Sequence, residues 1–520
     1  MAHTQEYVVS LHEGVNYDEF WHEMESEWVN TPQVPHRAVD IVNERPGSLR
    51  SCHYALTHVE AQALAQDPRV RSVELPPHLR SDIQIRPKLT QSGNFTKTTL
   101  STGDNLNHGL IRCTHDTNPY GVLNTTDASY PYTLDGTGVD VIIQDSGVQV
   151  DHPEFADAQG MSRVQLIDWY TASGIPGTQS VNFYRDWDGH GTHVCGVAAG
   201  LTYGWAKNAQ IYSMKIAGLE GTGDSGTGIS VTDCFDTIKL WHLAKPITAT
   251  GYRRPTIVNM SWGFVSTFTN ITGGVYRGVP WTGTSRRTDL GMVGVLLNGD
   301  HYFDVRVTSV DTDVEELLAA GVMVITAAGN SLQKIDQMDG ADWNNQFTSS
   351  VFGSIPYHRG GSPHSASAIC VGSLDSQVFD ASTEQKSEFS NAGPGVHVWA
   401  PGSNIRSACS TTNSFGAQTY YANGAFRQVN LSGTSMAAPQ ITGMLSLFAQ
   451  VNPHATPAQA KLWLQNNQVP QVYTTGSDTD YTNTRSVWGS SSGLMISPFQ
   501  SPHSLTMSGT LMQGVTHSLI

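Results

Sequence analysis

The stretch Ser432-Gly433-Thr434-Ser435-Met436-Ala437-Ala438-Pro439 sets one hydroxyl among small residues where a turn runs into a helix. Small neighbours leave room for a substrate carbonyl over Ser435, and the free N–H groups of a starting helix face any negative charge that develops there. A serine hydroxyl attacks only when a neighbouring base takes its proton, so Ser435 as a nucleophile needs partners elsewhere in the chain. Two stretches upstream offer them. Val141-Ile142-Ile143 is an apolar run that reads as a buried strand, and Asp145-Ser146-Gly147 at its end puts a carboxylate where the chain turns. Asp188-Gly189-His190-Gly191-Thr192-His193 places His190 between glycines, which let backbone crowd a reacting imidazole.

In that order, Asp-Ser-Gly, His-Gly-Thr-His and Gly-Thr-Ser-Met-Ala-Ala-Pro resemble the motifs of the subtilases, the subtilisin and proteinase K group of serine endopeptidases. Val258-Asn259-Met260-Ser261-Trp262-Gly263, Ala327-Ala328-Gly329-Asn330 and Ala400-Pro401-Gly402 are similar to further segments of that family. The resemblance implies that His190 is the general base, that Asp145 fixes its tautomer and stabilises its cation, and that the Asn330 amide joins the Ser435 N–H as an oxyanion donor. Asp151 and Asp188 then read as loop acids and His193 as structural. The resemblance also implies a substrate cleft. A glycine-rich edge from Gly221 to Gly228, including Gly221 and Gly223, is expected to pair with an extended peptide. Opposite it, Ser261, Trp262 and Gly263 with Ala327, Ala328 and Gly329 are expected to line the pocket for the residue before the cut. Small residues imply a roomy, uncharged pocket, whereas Trp262, where relatives carry an aliphatic side chain, argues against their broad specificity.

Other chemistries fit less well. Gly221-Thr222-Gly223-Asp224-Ser225-Gly226 has dinucleotide-fingerprint spacing, but no helix signal follows it directly. His190-x-x-His193 lacks the Glu and the spacing of a zinc protease helix. No cofactor is expected. Proteinase K-like enzymes often bind calcium through an aspartate just before an aromatic-x-Pro-Gly motif; His397 holds that position here, so that site is expected to be lost. The acidic loop from Asp336 to Asp342 is read as a solvated face sooner than as a calcium loop. An α/β-hydrolase esterase would need its acid and His after the Ser, where His454, His503 and His517 have no supporting motif. A structural or assembly role on the same scaffold, with processing limited to a few partners, is the rival of a different class.

These residues must be positioned by an α/β fold. Strand-like runs at Val139 to Ile143, Gln210 to Lys215, Thr256 to Met260, Val322 to Ala327 and Ala368 to Gly372 alternate with helical stretches at 193–200, 232–244 and 311–320. That alternation predicts a mostly parallel sheet with helices on both faces, the catalytic groups gathering at the carboxyl ends of the strands. Residues 1–79 read as a small ferredoxin-like α+β unit in the order β-α-β-α-β, with one more strand near Ser51, and resemble the inhibitor-type propeptides that precede subtilases. Residues 80–106, rich in Ser, Thr, Asn, Gln and Gly, read as a linker. The catalytic domain spans 107–468, with an inserted hairpin over about 264–310 signalled by Asn298-Gly299-Asp300 between apolar runs. Residues 469–520 form an extension to which the sequence assigns no role.

The resemblance implies polypeptide substrates and the chain's own propeptide as partners, and composition argues against nucleic acid. With 29 Lys plus Arg against 45 Asp plus Glu, a net charge of −16, the chain gains nothing from the counterion release that drives nucleic-acid binding. The N-terminus lacks the basic and apolar regions of a secretory signal, and no run approaches the ~18 apolar residues of a membrane span. The expectation is a soluble monomer, cytoplasmic or carried in an assembly such as a virus particle. Six scattered cysteines then read as reduced, buried thiols.

Overall fold

Alternating apolar residues in Tyr7 to Leu11 build the first strand of an N-terminal sheet. A computed structural model describes residues 4–27, 31–87, 107–114, 132–283, 288–293, 295–297, 300–378, 380, 383–474, 476–491 and 493–497. Strand β1 (Gln5–Leu11), helix α1 (Tyr17–Glu25), strands β2 (Ile41–Asn43) and β3 (Ser51–Leu56), helix α2 (His58–Leu64) and strand β4 (Val70–Glu74) form an antiparallel sheet in the order β2-β3-β1-β4. Asn16 caps α1, and Thr57 with Glu60 makes a capping box on α2, satisfying N–H groups that the helices leave free. Phe20 and Met24 of α1 and Ala61 and Leu64 of α2 close over Val9, Tyr54 and Leu56. The element order is therefore β-α-β-β-α-β, with Ser51 to Leu56 as a full strand.

The predicted linker departs from expectation. Its residues 88–106 lie outside the described residues, but β5 (Gln84–Pro87) is a strand running antiparallel to Trp262–Val265. Composition missed it because its hydrogen-bond partners are supplied by a distant edge and not by its own apolar surface.

The main unit then follows in sequence as α3 (His108–Arg112), β6 (Asp140–Asp145), α4 (Trp169–Ser173), α5 (His190–Ala199), β7 (Gln210–Lys215), α6 (Val231–Ala244) and β8 (Thr256–Met260). Strands β9 (Trp262–Phe268), β10 (Ile271–Tyr276), β11 (Val279–Thr282), β12 (Val295–Leu297) and β13 (Asp300–Asp304) come next. After them stand α7 (Thr308–Ala319), β14 (Met323–Ala327), β15 (Gln346–Ser349), β16 (Gly353–Pro356), β17 (Ile369–Val378), β18 (Glu384–Lys386), β19 (Val398–Pro401), β20 (Ile405–Cys409), β21 (Gln418–Thr419) and β22 (Arg427–Leu431). The chain closes with α8 (Thr434–Val451), α9 (Pro457–Asn466), β23 (Gln468–Pro470) and β24 (Gly493–Met495).

The central sheet runs β23-β24-β19-β17-β14-β8-β6-β7, with β18 beside β17, and its strands from β24 to β7 are parallel. Strands β6, β8 and β14 are buried along their whole length, as expected of parallel strands covered on both faces. Helix α8, buried over nearly its whole length, crosses the sheet and brings Ser435 to it in its first turn. Two expectations change here. The insertion is larger than one hairpin: β12 and β13 do pair, around a turn outside the described residues, but β13 also pairs with β9, while β10 and β11 join β15 and β16 in a separate sheet. The C-terminal stretch from 469 to 497 is no appendage, because β24 lies on β19 and Tyr481, Trp488, Leu494 and Met495 are buried in the main core. Leu and Met scattered among Ser, Thr and Gly give no periodic signal, so its role in the core was hidden.

The N-terminal unit sits on α6 and α7. The Arg45 side chain, with no exposed surface, reaches Asp236 of α6 at 3.0 Å and Asp313 of α7 at 2.9 Å. Glu74 accepts from the N–H groups of Thr308 and Ser309 at the start of α7, where a carboxylate meets the positive end of the helix.

Candidate active site

Each predicted group stands where a strand ends or a helix begins. Asp145 is the last residue of β6, and its Oδ1 accepts from Ser146 N at 2.7 Å and lies 2.7 Å from His190 Nδ1. His190 opens α5, which approaches the turn after β6 so closely that a Cβ on Gly191 would stand 2.0 Å from the Gly147 carbonyl oxygen. Glycine at 191 is therefore what lets the imidazole reach the carboxylate. Burial alone would lower the pKa of His190, but Asp145, and behind it Asp188 and Asp186, hold it above the usual 6.5.

Ser435 is in the first turn of α8, and its hydroxyl donates to the Ser261 carbonyl at 3.0 Å, while Ser261 Oγ donates to the Ser435 carbonyl at 3.1 Å. His190 Nε2 has no hydrogen-bond partner among the described residues. Asn330 is fixed through its oxygen, which accepts from Thr434 N and Thr434 Oγ1 at 2.9 Å each. Its Nδ2 is buried and also without a partner among the described residues. Two polar nitrogens, one able to accept a proton and one able to donate, are thus left over: His190 Nε2 at the start of α5, which packs against α8, and Asn330 Nδ2 on the residue that holds Thr434 at the start of α8. Buried polar groups without partners are rare and call for a function or a ligand.

The pocket residues divide. Ala327 ends β14, Ala328 follows it, and Gly329 comes next with φ +108°, where a Cβ would stand 2.4 Å from Asp304 Oδ2, so only glycine fits. The Ser261 carbonyl accepts from the Ser435 hydroxyl, and Gly263 lies opposite Arg86 of β5. Trp262 does not line a pocket: its side chain is fully buried, its Nε1 donates to Gln144 Oε1 at 3.3 Å, and its ring meets Phe235 and Phe264. Side chains alternate along a strand, so the residue between two cleft positions points into the core. The inference about specificity drawn from Trp262 falls with it.

Gly221 and Gly223 also differ from expectation. Both have positive φ, +88° and +98°, within consecutive turns, and a Cβ on Gly221 would press on the backbone of Asp188. A chain bent this way offers no straight edge to a peptide, and β5 pairs with β9 instead. Of the rival acids, Asp151 is exposed and accepts from Gln149 Nε2. Asp188 accepts from the backbone N–H of His190 and contributes to that ring's raised pKa through its charge. His193 is structural, its Nε2 lying 3.0 Å from the Ile405 carbonyl and 3.2 Å from that of Val429, and burial holds it down at about 3.

Sequence reasoning missed three supports. Asp186 accepts from Gly189 N, Thr192 N, Thr192 Oγ1 and Ser146 Oγ, tying the start of α5 to the turn that carries Asp145. Its position four residues before His190, ahead of a helix, was a legible capping signal. Asp304 and Asn391 together hold the Ala328–Ser331 turn: Asn391 Nδ2 donates to Asp304 Oδ2 at 2.6 Å and to the Ala328 carbonyl at 3.0 Å. Nothing local marks either residue. In the acidic loop Asp339 is exposed, whereas Asp336 and Asp342 are buried, so the loop is solvated only at its middle. Burial would raise Asp342, but Arg277 at 2.6 Å and Lys334 at 2.7 Å hold it well below the usual carboxylate range. Among the described residues no three His, Cys, Asp or Glu side chains gather as a metal-binding group.

The sequence profile of the subtilase family matches residues 136–490, which carry all four of the groups just described. The chain belongs to the subtilase family. As a subtilase it is a serine-type endopeptidase with an α/β subtilisin-like fold. Its similarity to an extracellular serine proteinase of Thermus sp. (strain Rt41A) is 26% identity over 425 residues, 82% of this chain and 72% of that protein. Subtilisin-like protease 3 of Arthroderma benhamiae is 30% identical over 312 residues, 59% of this chain and 52% of that protein. Proteinase R of Parengyodontium album is 28% identical over 333 residues, covering 63% of this chain and 59% of that one. Among solved structures, fervidolysin from Fervidobacterium pennivorans, described as a keratinolytic enzyme related to subtilisin, superposes with a TM-score of 0.50 at 16% identity over 94% of this chain and 60% of that one.

Proposed function

We propose that this subtilase cleaves peptide bonds through an acyl-enzyme on Ser435, with His190 as general base and acid, Asp145 as the group that orients and stabilises the imidazole, and Asn330 as oxyanion donor. The observation that carries this reading is the His190 Nδ1–Asp145 contact of 2.7 Å, which orients the ring on α5, a helix packed against α8, and leaves its other nitrogen unpartnered among the described residues. A hydrogen-bonded Nδ1 keeps the proton there and leaves Nε2 free to take one. A rotation of the Ser435 side chain away from the Ser261 carbonyl would give Nε2 the hydroxyl proton. Attack forms the Oγ–carbonyl bond, and the proton passes through His190 to the departing amine, with water reversing the sequence. No metal or cofactor enters these steps.

The same chain is read as its own first substrate. Strand β5 pairs Pro87 with Trp262 and Arg86 with Gly263. Trp262, opposite Pro87, directly follows Ser261, whose carbonyl holds the Ser435 hydroxyl. Self-cleavage is therefore read as falling within a few residues after Pro87, and the unit docked through Arg45 and Glu74 acts as the propeptide.

A fluorophosphonate probe is expected to label the wild type once and Ser435→Ala not at all. Intact-mass measurement is expected to find a mature chain beginning within a few residues after Pro87 in the wild type and an uncut chain in the alanine variant. Labelling that survives Ser435→Ala refutes the nucleophile; labelling that is lost, with a cut far from Pro87, refutes only the cut site.

A further inference from the structure

A single nitrogen closes the corner between α9, the turn before β17 and the start of β19. Lys461 Nζ lies 2.6 Å from the Ala366 carbonyl oxygen, 3.2 Å from that of Ala368 and 3.0 Å from His397 Nε2. Oxygen ligands converging on one point are what a hard cation asks for, and His397 holds the position where proteinase K-like sequences carry a calcium-binding aspartate. The residues present do not fit that ion. His397 Nδ1 accepts the Cys370 amide N–H at 3.0 Å, so a neutral ring bears its own proton on Nε2 and turns an N–H toward the point in place of a lone pair. The ring is neutral, since burial, reinforced by Lys461, holds His397 down at about 3. Among the described residues no carboxylate pairs with Lys461, so nothing at the point would offset a divalent charge.

We propose that Lys461 supplies the bracing that a bound cation would otherwise give this corner, joining α9 to the 366–368 turn and to His397, so that the corner neither requires nor admits calcium. The hydrogen bonds match an amine nitrogen that gives two hydrogens to the carbonyls and receives one from the ring. Burial, which pulls Lys461 below its ordinary value, acts in the same sense. The braced segment reaches the candidate active site. Ser362 Oγ donates to the Ala327 carbonyl at the end of β14, and His364 N donates to Asp311 Oδ1 of α7 at 3.0 Å. The His364 ring stacks on His397 with centroids 6.3 Å apart. Pinning residues 366–368 therefore also steadies the backbone that carries the proposed pocket wall.

The test follows thermal unfolding of the full chain, carrying Ser435→Ala to prevent self-digestion, in chelator and in millimolar calcium. Lys461→Met is expected to lower the unfolding temperature by several degrees in both buffers. His397→Asp combined with Lys461→Ala, which opens the point and adds a carboxylate, is expected to gain a calcium-dependent rise in unfolding temperature well beyond any that the parent displays. A Lys461→Met chain as stable as its parent, or a double variant whose calcium response equals the parent's, overturns the proposal. Should the methionine chain not fold, the double variant decides alone, because calcium either restores its cooperative unfolding or does not.

Discussion

At the scale of single residues, His190 Nε2 and Asn330 Nδ2 are without partners among the described residues, and these are the atoms the proposed reaction uses. Asn330 spends its oxygen on Thr434 and keeps its nitrogen free. Asn330→Ala should lower kcat by about 10²–10³-fold with little change in KM, the loss associated with the corresponding donor of subtilisin, because the amide acts on charge present only in the transition state. Steady-state kinetics on a peptide substrate checks this. The imidazole makes a second prediction. A general base must be neutral, and Asp145, with Asp188 and Asp186, holds His190 above 6.5, so kcat/KM should fall on the acid side with a midpoint above 6.5. Asp145→Asn removes the largest opposing charge and should move that midpoint down. A pH profile whose acid limb lies below 6.5 in the wild type would contradict the geometry.

At the scale of elements, the N-terminal unit is held to α6 and α7 by a buried guanidinium. The Arg45 side chain has no exposed surface, and burial pushes both Asp313 and Asp236 up while Arg45 holds them down, so two acids depend on one cation. Breaking a buried ion pair by removing one partner costs about 3–5 kcal/mol, since the other charge stays behind without compensation. Arg45→Met in an uncut Ser435→Ala chain should therefore lower stability by that order in denaturant unfolding. Adding Asp236→Asn and Asp313→Asn should restore part of it, which distinguishes the loss of charge balance from a loss of packing. The β5–β9 pairing belongs to this scale too. Eleven-residue sequence patterns cannot reveal it, because a strand that borrows its ladder from an insertion nearly two hundred residues away carries no local signature.

At the scale of the whole molecule, all six cysteines are buried and none is joined to another by a disulfide. Burial raises the thiols of Cys52, Cys113, Cys195, Cys234 and Cys409, and the thiolate is the reactive form. The native chain should therefore resist alkylation, take up six groups once unfolded without reductant, and unfold at the same temperature with reductant present; mass spectrometry and a thermal scan check both. The sequence by itself determined the ordered motifs around Asp145, His190, Asn330 and Ser435 and the alternation of apolar strands with helices, because each depends on residues close together in the chain. Only the tertiary structure decided the rest. It buried Trp262, bent Gly221 and Gly223 into turns, drew residues 469–497 into the core and set Lys461 where a metal had been the family's expectation. The physical reason is shared: which way a side chain faces, and what closes a corner, are fixed by neighbours that arrive from far along the chain.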